Sequence, residues 1–413
     1  MTVDIAPIQH ERRAAAADVV RRTAELAAVF APRAAEYDRE TAFPAADFDD
    51  LFAAGLTAAV VPPEYGGLGL GPLRGATHPL WMMTLELAKA DLSLARCWEG
   101  HVNATTLIDA LGTDDQRARW FEGVVRRGET WVAWSGEPQA RKPGEKVKFG
   151  TTVERTADGW VVDGQKAFAT SATGADWAIL LVNPAGPGGA RHLDGADDEL
   201  VLLACDLSHP SISIDRSWWD PVGMRATVSH VVRFDHTPIP DACQLGQPGD
   251  YLRYGWQTAF IPQYAASFLG AAQAAYEYAL DYVRAQGKSG DPYVQQRIGQ
   301  IAVGIDTAHL WLAHVARLWD DGTYANPGPD PDHGEAARMA GSRARHLIEH
   351  LALSTVDHCI RVCGARSLVR PSPIERILRD LTFYVRHDNA DHILATIGRG
   401  VLGLPHDAAF YKP

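Results

Sequence analysis

The spacing of apolar positions along the 413-residue chain changes twice. Up to about residue 130, apolar residues recur at helical spacing, which predicts helices over Arg12–Tyr37, Ala45–Gly55, His78–Ala90 and Leu92–Leu111. Pro62-Pro63 and the glycines between Gly66 and Gly71 interrupt them. From Thr130 to Pro240 the pattern shortens to β-favouring runs: Thr151–Val153, Trp160–Val162, Ala178–Val182, Leu200–Leu203 and Val231–Phe234. Asp158-Gly159, between two of these runs, predicts a hairpin turn. Beyond Pro240 the helical period returns, with Leu347, Leu351, Cys359 and Val362 on one stripe of a helix over Glu335–Val362. A polar Pro/Gly loop, Thr323–Gly334, interrupts these long helices, which read as a bundle. The expected class is therefore α+β, with a helical domain over 1–130, a β domain over 131–241 and a helical bundle over 242–413.

Composition narrows the function. Apolar residues make up 46% and charged residues 22%, enough apolar side chain for a folded core. No run approaches the ~18 apolar residues of a membrane span, and Met1–Arg13 lacks the apolar stretch of a secretory signal. A cytoplasmic protein is expected. A net charge of −12 without a basic block argues against a nucleic-acid partner, which would need clustered Lys and Arg. The five cysteines contain no CxxC pair and fit reduced thiols. Cys359 and Cys363, with His358 beside them, read as small buried residues in preference to metal ligands.

Gly67, Gly69, Gly71 and Gly75 mimic a dinucleotide-binding loop. Only Ala58–Val61 precede them before two prolines, and Pro72 breaks the segment where a helix would open, so the strand and helix such a loop requires are missing. P-loop, HExxH and GxSxG patterns are absent.

Other motifs recur in a telling order. Val-Pro-Pro-Glu-Tyr-Gly-Gly-Leu-Gly (Val61 to Gly69) is followed by Asp91-Leu-Ser-Leu-Ala and by Leu111-Gly-Thr with Gln116 and Trp120. Then come Gly136-Glu137-Pro138, Gly164-Gln-Lys166-Ala-Phe-Ala-Thr170, Ala175-Asp176-Trp177, Gly223-Met-Arg225-Ala-Thr227-Val-Ser229, Phe234-Asp235, Ile239-Pro240 and finally Arg379-Asp380. Over nearly its whole length the chain resembles the acyl-CoA dehydrogenase superfamily. That resemblance implies an N-terminal helical domain, a middle β-barrel or sandwich domain and a C-terminal four-helix bundle. It also implies a flavin between the last two and a homotetramer. Phe168, Thr170 and Ser171 match the segment beside the isoalloxazine, with Thr170 donating towards N5 and Phe168 in the place of a flanking tryptophan. Trp134 and Ser135 match the second flavin-contacting strand. A reactive flavin needs such a donor and an apolar wall against water.

Two branches of the superfamily use this scaffold differently. Dehydrogenases carry a carboxylate base some eight residues after the Arg-Asp pair, where this chain has His387-Asp388-Asn389-Ala390. The other family position for a base is Phe260, so Asp388 is the candidate. His387-Asp388 and Asp291–Gly299 resemble instead the two-component flavin monooxygenases: sulfur-heterocycle monooxygenases, phenol hydroxylases and amino-sugar N-oxygenases. In that branch His387 would donate to the distal peroxide oxygen or deprotonate substrate, and His101 occupies the place of a second active-site histidine. Two elements that grip the FAD adenine half are reduced here, to Arg284-Ala-Gln-Gly287 and Cys363-Gly364-Ala365-Arg366. Arg284 and Arg366 remain as candidate contacts, with Arg376 and Arg379 as further arginines for a flavin phosphate. With no nicotinamide site, a separate flavin reductase is the expected partner.

The resemblance thus favours a monooxygenase that takes reduced FMN or FAD and O2, forms a C4a-peroxyflavin and oxygenates a small organic substrate. The alternative is an acyl-CoA or acyl-carrier-protein dehydrogenase with FAD and Asp388 as base, a reading that the Gly223–Thr227 motif favours. A third is a silent member kept for binding. Residues around His101, Trp218-Trp219 and Phe260–Phe268 are expected to line a pocket for an apolar or aromatic ligand.

Overall fold

Proline sets the first boundary. Pro32 divides the expected Arg12–Tyr37 helix into α1 (Ile5–Phe30) and α2 (Ala34–Glu40), because its ring removes a donor and clashes with the preceding turn. The computed structural model describes residues 5–137, 150–184, 200–321, 324–325, 328–329, 331–387 and 390–404. Helices α3 (Ala45–Ala53), α4 (Thr77–Ala90), α5 (Leu92–Leu111) and α6 (Asp114–Glu122) complete the N-terminal part. Asp91 opens α5 by accepting from Ser93 N at 2.9 Å, and Thr113 with Gln116 forms a reciprocal capping box at the start of α6.

One mixed sheet comes next: β1 (Trp131–Trp134), β2 (Thr152–Arg155), β3 (Gly159–Ala169), β4 (Trp177–Pro184), β5 (Val201–Asp206), β6 (Ile212–Asp215), β7 (His230–Pro240) and β8 (Gln244–Leu245). Its order is β6-β7-β3-β2-β4-β5-β8, with β1 on β4. Strands β1 and β2 run parallel to β4, and the other pairs are antiparallel. The hairpin expected at Asp158-Gly159 joins β2 to β3, with Arg155 opposite Trp160.

After the short α7 (Asp250–Arg253) and α8 (Trp256–Ala259) come the long α9 (Ile261–Ala285) and α10 (Pro292–Asp320). A two-residue pair, β9 (Tyr324–Ala325) and β10 (Gly328–Pro329), precedes α11 (Pro331–Cys363), which starts four residues earlier than its apolar stripe predicts. Helix α12 (Pro373–Tyr384) packs against α9 and α11, and α13 (Ala390–Val401) lies on α11. Gly270 lets α9 cross close over α4: a Cβ there would sit 2.3 Å from Leu85 O. None of the described helices is long and apolar enough to cross a membrane.

Several of the ordered sequence motifs are each other's partners. Arg379 grips Asp38 with both terminal nitrogens, at 3.0 and 2.7 Å. Asp380 accepts from Met224 N at 2.6 Å, and a Cβ on Gly223 would strike Arg379 O at 2.3 Å. Arg225 donates to Asp38 O at 3.0 Å and to Asp220 at 2.8 Å. Glu137 takes Lys166 Nζ at 3.0 Å and Thr151 N at 3.0 Å, while Lys166, wholly buried, also donates to Leu181 O at 2.7 Å. Burial alone would push the Glu137 carboxyl up, but Lys166 and two backbone N–H groups hold it below its ordinary value. These pairs lock α2, the sheet and α12 together.

Replacing Arg379 with alanine leaves Asp38, itself only 6% exposed, without its bidentate partner. The expected loss is about 3 kcal/mol of folding stability, read as a lowered denaturant midpoint with unchanged slope.

Candidate functional site

The exposed end of β3 has an unusual backbone. The β3–β7 register shifts between Lys166 and Ala169, and there Phe168 adopts φ +50° and Ser171 φ +62°. Facing them, Met224 (φ +58°) and Val228 (φ +43°) are also left-handed. Such conformations cost about 1–3 kcal/mol each for residues with a Cβ and gather where a structure needs a particular surface. Backbone bonds hold them: Ser171 N to Thr227 O, Thr170 N to Phe168 O and His230 N to Val228 O, each at 2.8 Å.

This backbone turns Phe168 outward, 55% exposed. Its ring stands edge-on to Trp218 (4.8 Å) and Trp219 (6.2 Å), and Trp219 meets Phe383 of α12 at 5.7 Å and 90°. An aromatic wall thus runs from the exposed Phe168 and Trp218 through the buried Trp219 to α12. Beside it Trp134 donates to Thr170 O at 2.9 Å. Ser229 Oγ donates to Thr170 Oγ1 at 3.2 Å, which leaves the Thr170 hydroxyl proton for an outside acceptor. Ser171 is buried beside the Cys97 thiol, and Ser135 lies half-buried just beyond β1. The aromatic wall and the Thr170 hydroxyl beside it suit a flat heteroaromatic ring with a polar edge, as a flavin is.

A second cluster, missed in the sequence, lies where α5, α9 and α12 meet. Glu99, fully buried, accepts hydrogen bonds from Ser267 Oγ and Tyr384 Oη. Burial pushes its carboxyl up, against the pull of Arg96 and the two hydroxyls. Arg96 lies 3.5 Å from Glu99 and 3.3 Å from His387 Nε2. Its guanidinium packs over the rings of Tyr264 (5.6 Å) and Tyr384 (5.9 Å), and Tyr264 meets the His387 ring edge-on at 5.1 Å. Since Arg96 can only donate, His387 Nε2 accepts, and the neutral ring carries its proton on Nδ1. Arg345, fully buried beside Glu349, donates to Val385 O at 3.0 Å and fixes the turn that carries His387. A signal was present in Arg96-Cys-Trp-Glu99: two opposite charges three apart on the predicted helix Leu92–Leu111.

Other expected residues fall elsewhere. His101 is wholly buried, donating from Nε2 to Thr57 O at 2.9 Å and accepting from Trp131 N at 3.1 Å on Nδ1. Both nitrogens are committed, so it bridges α5 to β1 and has none to offer a substrate. Arg376 is held by Asp91 (3.0 Å) and Ala90 O (3.2 Å), and Arg379 by Asp38; neither is available for a phosphate. Arg284, in the last turn of α9 and paired with Asp281 at 3.1 Å, and Arg366, just after α11, are exposed. No described contact joins them to the Phe168 wall. Asp388 lies outside the described residues. Cys359 and Cys363 are buried, and burial pushes both thiols up, Cys363 to about 11; His358 faces Arg297 at 3.0 Å. Phe260 stacks on Trp256 at 5.7 Å. A cavity of about 970 Å³ between α2–α3 and the sheet reaches Trp219 and His230, but its walls include neither Phe168 nor His387.

Comparison with known proteins agrees with this fold. Sequence profiles of the acyl-CoA dehydrogenase N-terminal, middle and C-terminal domains match residues 10–128, 133–237 and 263–392. YdbM of Bacillus subtilis, whose name places it among acyl-CoA dehydrogenases, is 28% identical over 88% of this chain and 90% of its own. A dibenzothiophene monooxygenase of Rhodococcus qingshengii is 26% identical over 95% of this chain and 94% of its own. The structure of TdsC from Paenibacillus sp. A11-2 with FMN and indole superposes with a TM-score of 0.84 at 23% identity, covering 96% and 99% of the two chains.

The buried His101 has a consequence for stability. Burial pushes it from 6.5 down to about 4, so between those values the unfolded chain binds a proton that the folded one refuses. Stability present above pH 6.5 is therefore lost as pH falls towards 4, by about 3 kcal/mol for this group. Denaturation curves across that range are expected to show the loss, and His101→Gln to flatten it.

Proposed function

Since the chain belongs to the acyl-CoA dehydrogenase family, we propose that it is a flavin-dependent monooxygenase, fed with reduced FMN or FAD by a separate reductase in the cytoplasm. The observation that carries this reading is the chemistry of the α5–α9–α12 cluster. An imidazole backed by a guanidinium stands there, and the buried carboxylate Glu99 has hydroxyl donors on both oxygens. A carboxylate so capped is poorly placed to take the α-proton of an acyl thioester. The monooxygenase among the sequence relatives and the FMN bound by TdsC support the same reading.

The bound flavin supplies the redox chemistry, passing its electrons to oxygen. Phe168 and Trp219 would flank its ring system and exclude water, Thr170 would donate to its polar edge, and Trp134 would fix Thr170 through its carbonyl. His387 Nδ1–H would donate to the reacting oxygen or to substrate, with Arg96 setting the tautomer. Arg284 and Arg366, exposed on one chain, suit the flavin tail of a neighbouring subunit in a homotetramer. With domain divisions at 130/131 and 241/242, the flavin would lie between sheet and bundle.

The test is to load the protein anaerobically with chemically reduced FMN or FAD, mix it with oxygenated buffer and follow absorbance by stopped flow. A transient unlike oxidised flavin is expected, decaying roughly ten-fold faster in His387→Ala. Immediate return to oxidised flavin, together with bleaching of bound FAD by acyl-CoAs that Asp388→Asn abolishes, would instead establish the dehydrogenase.

A further inference from the structure

The other arginines that tie this end of the fold together have close carboxylate partners. Arg376 lies 3.0 Å from Asp91, Arg379 2.7 Å from Asp38, Arg225 2.8 Å from Asp220, and Arg345 bonds Glu349. Arg96 departs from this. Among the described residues its nearest carboxylate oxygen is 3.5 Å away and its contact to His387 is 3.3 Å, both longer than the ~2.7–2.9 Å of a charge-assisted bond. The carboxylate that would otherwise claim it, Glu99, is already held at close range by Ser267 and Tyr384. A guanidinium has five N–H donors in a rigid fork, more than these two long contacts among the described residues can use.

The surroundings keep that charge in place without quenching it. Tyr264 and Tyr384 present their ring faces to it, and the side chain is 13% exposed. Charge–dipole interactions at so nearly buried a site are stronger than in water. Arg96 also faces the right way. Ser93, three residues before it and on the same side of α5, touches Met224 Sδ at 4.0 Å, in the segment whose Ser229 bonds Thr170. The chain as a whole is strongly acidic, at −12, so a site for anions has to be made locally.

We propose that the substrate of this site is a small organic acid whose carboxylate or sulfinate is received by the fork of Arg96, with Tyr264 and His387 beside it. The inference rests on the α5–α9–α12 cluster being the substrate pocket. It concerns binding and can be measured apart from oxygen chemistry.

The probes are para-(methylthio)benzoate and para-(methylthio)benzamide, which share an oxidisable sulfur and an aromatic ring and differ in charge. Their dissociation constants are measured by calorimetry on protein loaded with oxidised FMN. The benzoate is expected to bind roughly ten-fold or more tightly than the amide, the worth of a charge-assisted hydrogen bond. In Arg96→Gln that ratio should collapse to about one, while Arg96→Lys should keep several-fold of it. Circular dichroism and flavin uptake verify that each variant folds. Equal binding of the two probes, no binding of the benzoate at millimolar concentration, or a ratio that survives in Arg96→Gln would overturn the inference. A protein that shows this ratio yet no oxygen-dependent transient would overturn the monooxygenase reading while leaving anion recognition by Arg96 in place.

Discussion

Everything in this fold is built around a helix that cannot reach water. Eighteen of the twenty residues of α5 are buried, yet it carries Ser93, Glu99, His101, Thr105 and Asp109 as well as apolar side chains. A buried polar group without a partner costs more than most single contacts provide, so each neighbour of α5 has to present the right group at the right height. Arg74 meets Asp109, Thr57 O and Trp131 N take the two nitrogens of His101, and Ser267 with Tyr384 covers Glu99. The N-terminal helices, the sheet and the bundle are thereby registered against one common element.

That registration places the chemistry. One stretch of α5 lies against the Met224–Ser229 segment, and the next turn carries Arg96 and Glu99 to α9 and α12. Phe383 and Tyr384, neighbours on α12, belong one to the aromatic wall and the other to the polar cluster. The wall and the cluster therefore share two helices and cannot shift independently. The left-handed residues Phe168, Ser171, Met224 and Val228 survive because this frame is rigid enough to hold them, and the result is an aromatic ring turned outward at the end of β3.

Much of the architecture was open to reading in one dimension. Helical and β periods separate because side chains project every 3.6 or every two residues, and proline and glycine mark the ends. The α5 helix, the β2–β3 hairpin and the order of the three regions come from such local rules. Pro32 shows their limit, since the apolar stripe continues across Ala31–Arg33 while the backbone cannot. The ordered motifs pointed to a family and to a candidate flavin strand around Phe168 and Thr170.

Which residue meets which was beyond that reading. His101, alone in sequence, looks like a catalytic histidine; only the approach of Thr57 and Trp131 shows that both its nitrogens are taken. Arg376 and Arg379 look like phosphate ligands until Asp91 and Asp38 are seen against them. Arg96, Glu99, Ser267 and Tyr384 come from three helices as much as 288 positions apart, and no local pattern encodes their meeting. By itself the sequence determined the periods, the breaks and the residue types available. The tertiary structure alone decided which charges were neutralised by a partner and which were left to act, because that depends on distances across the core.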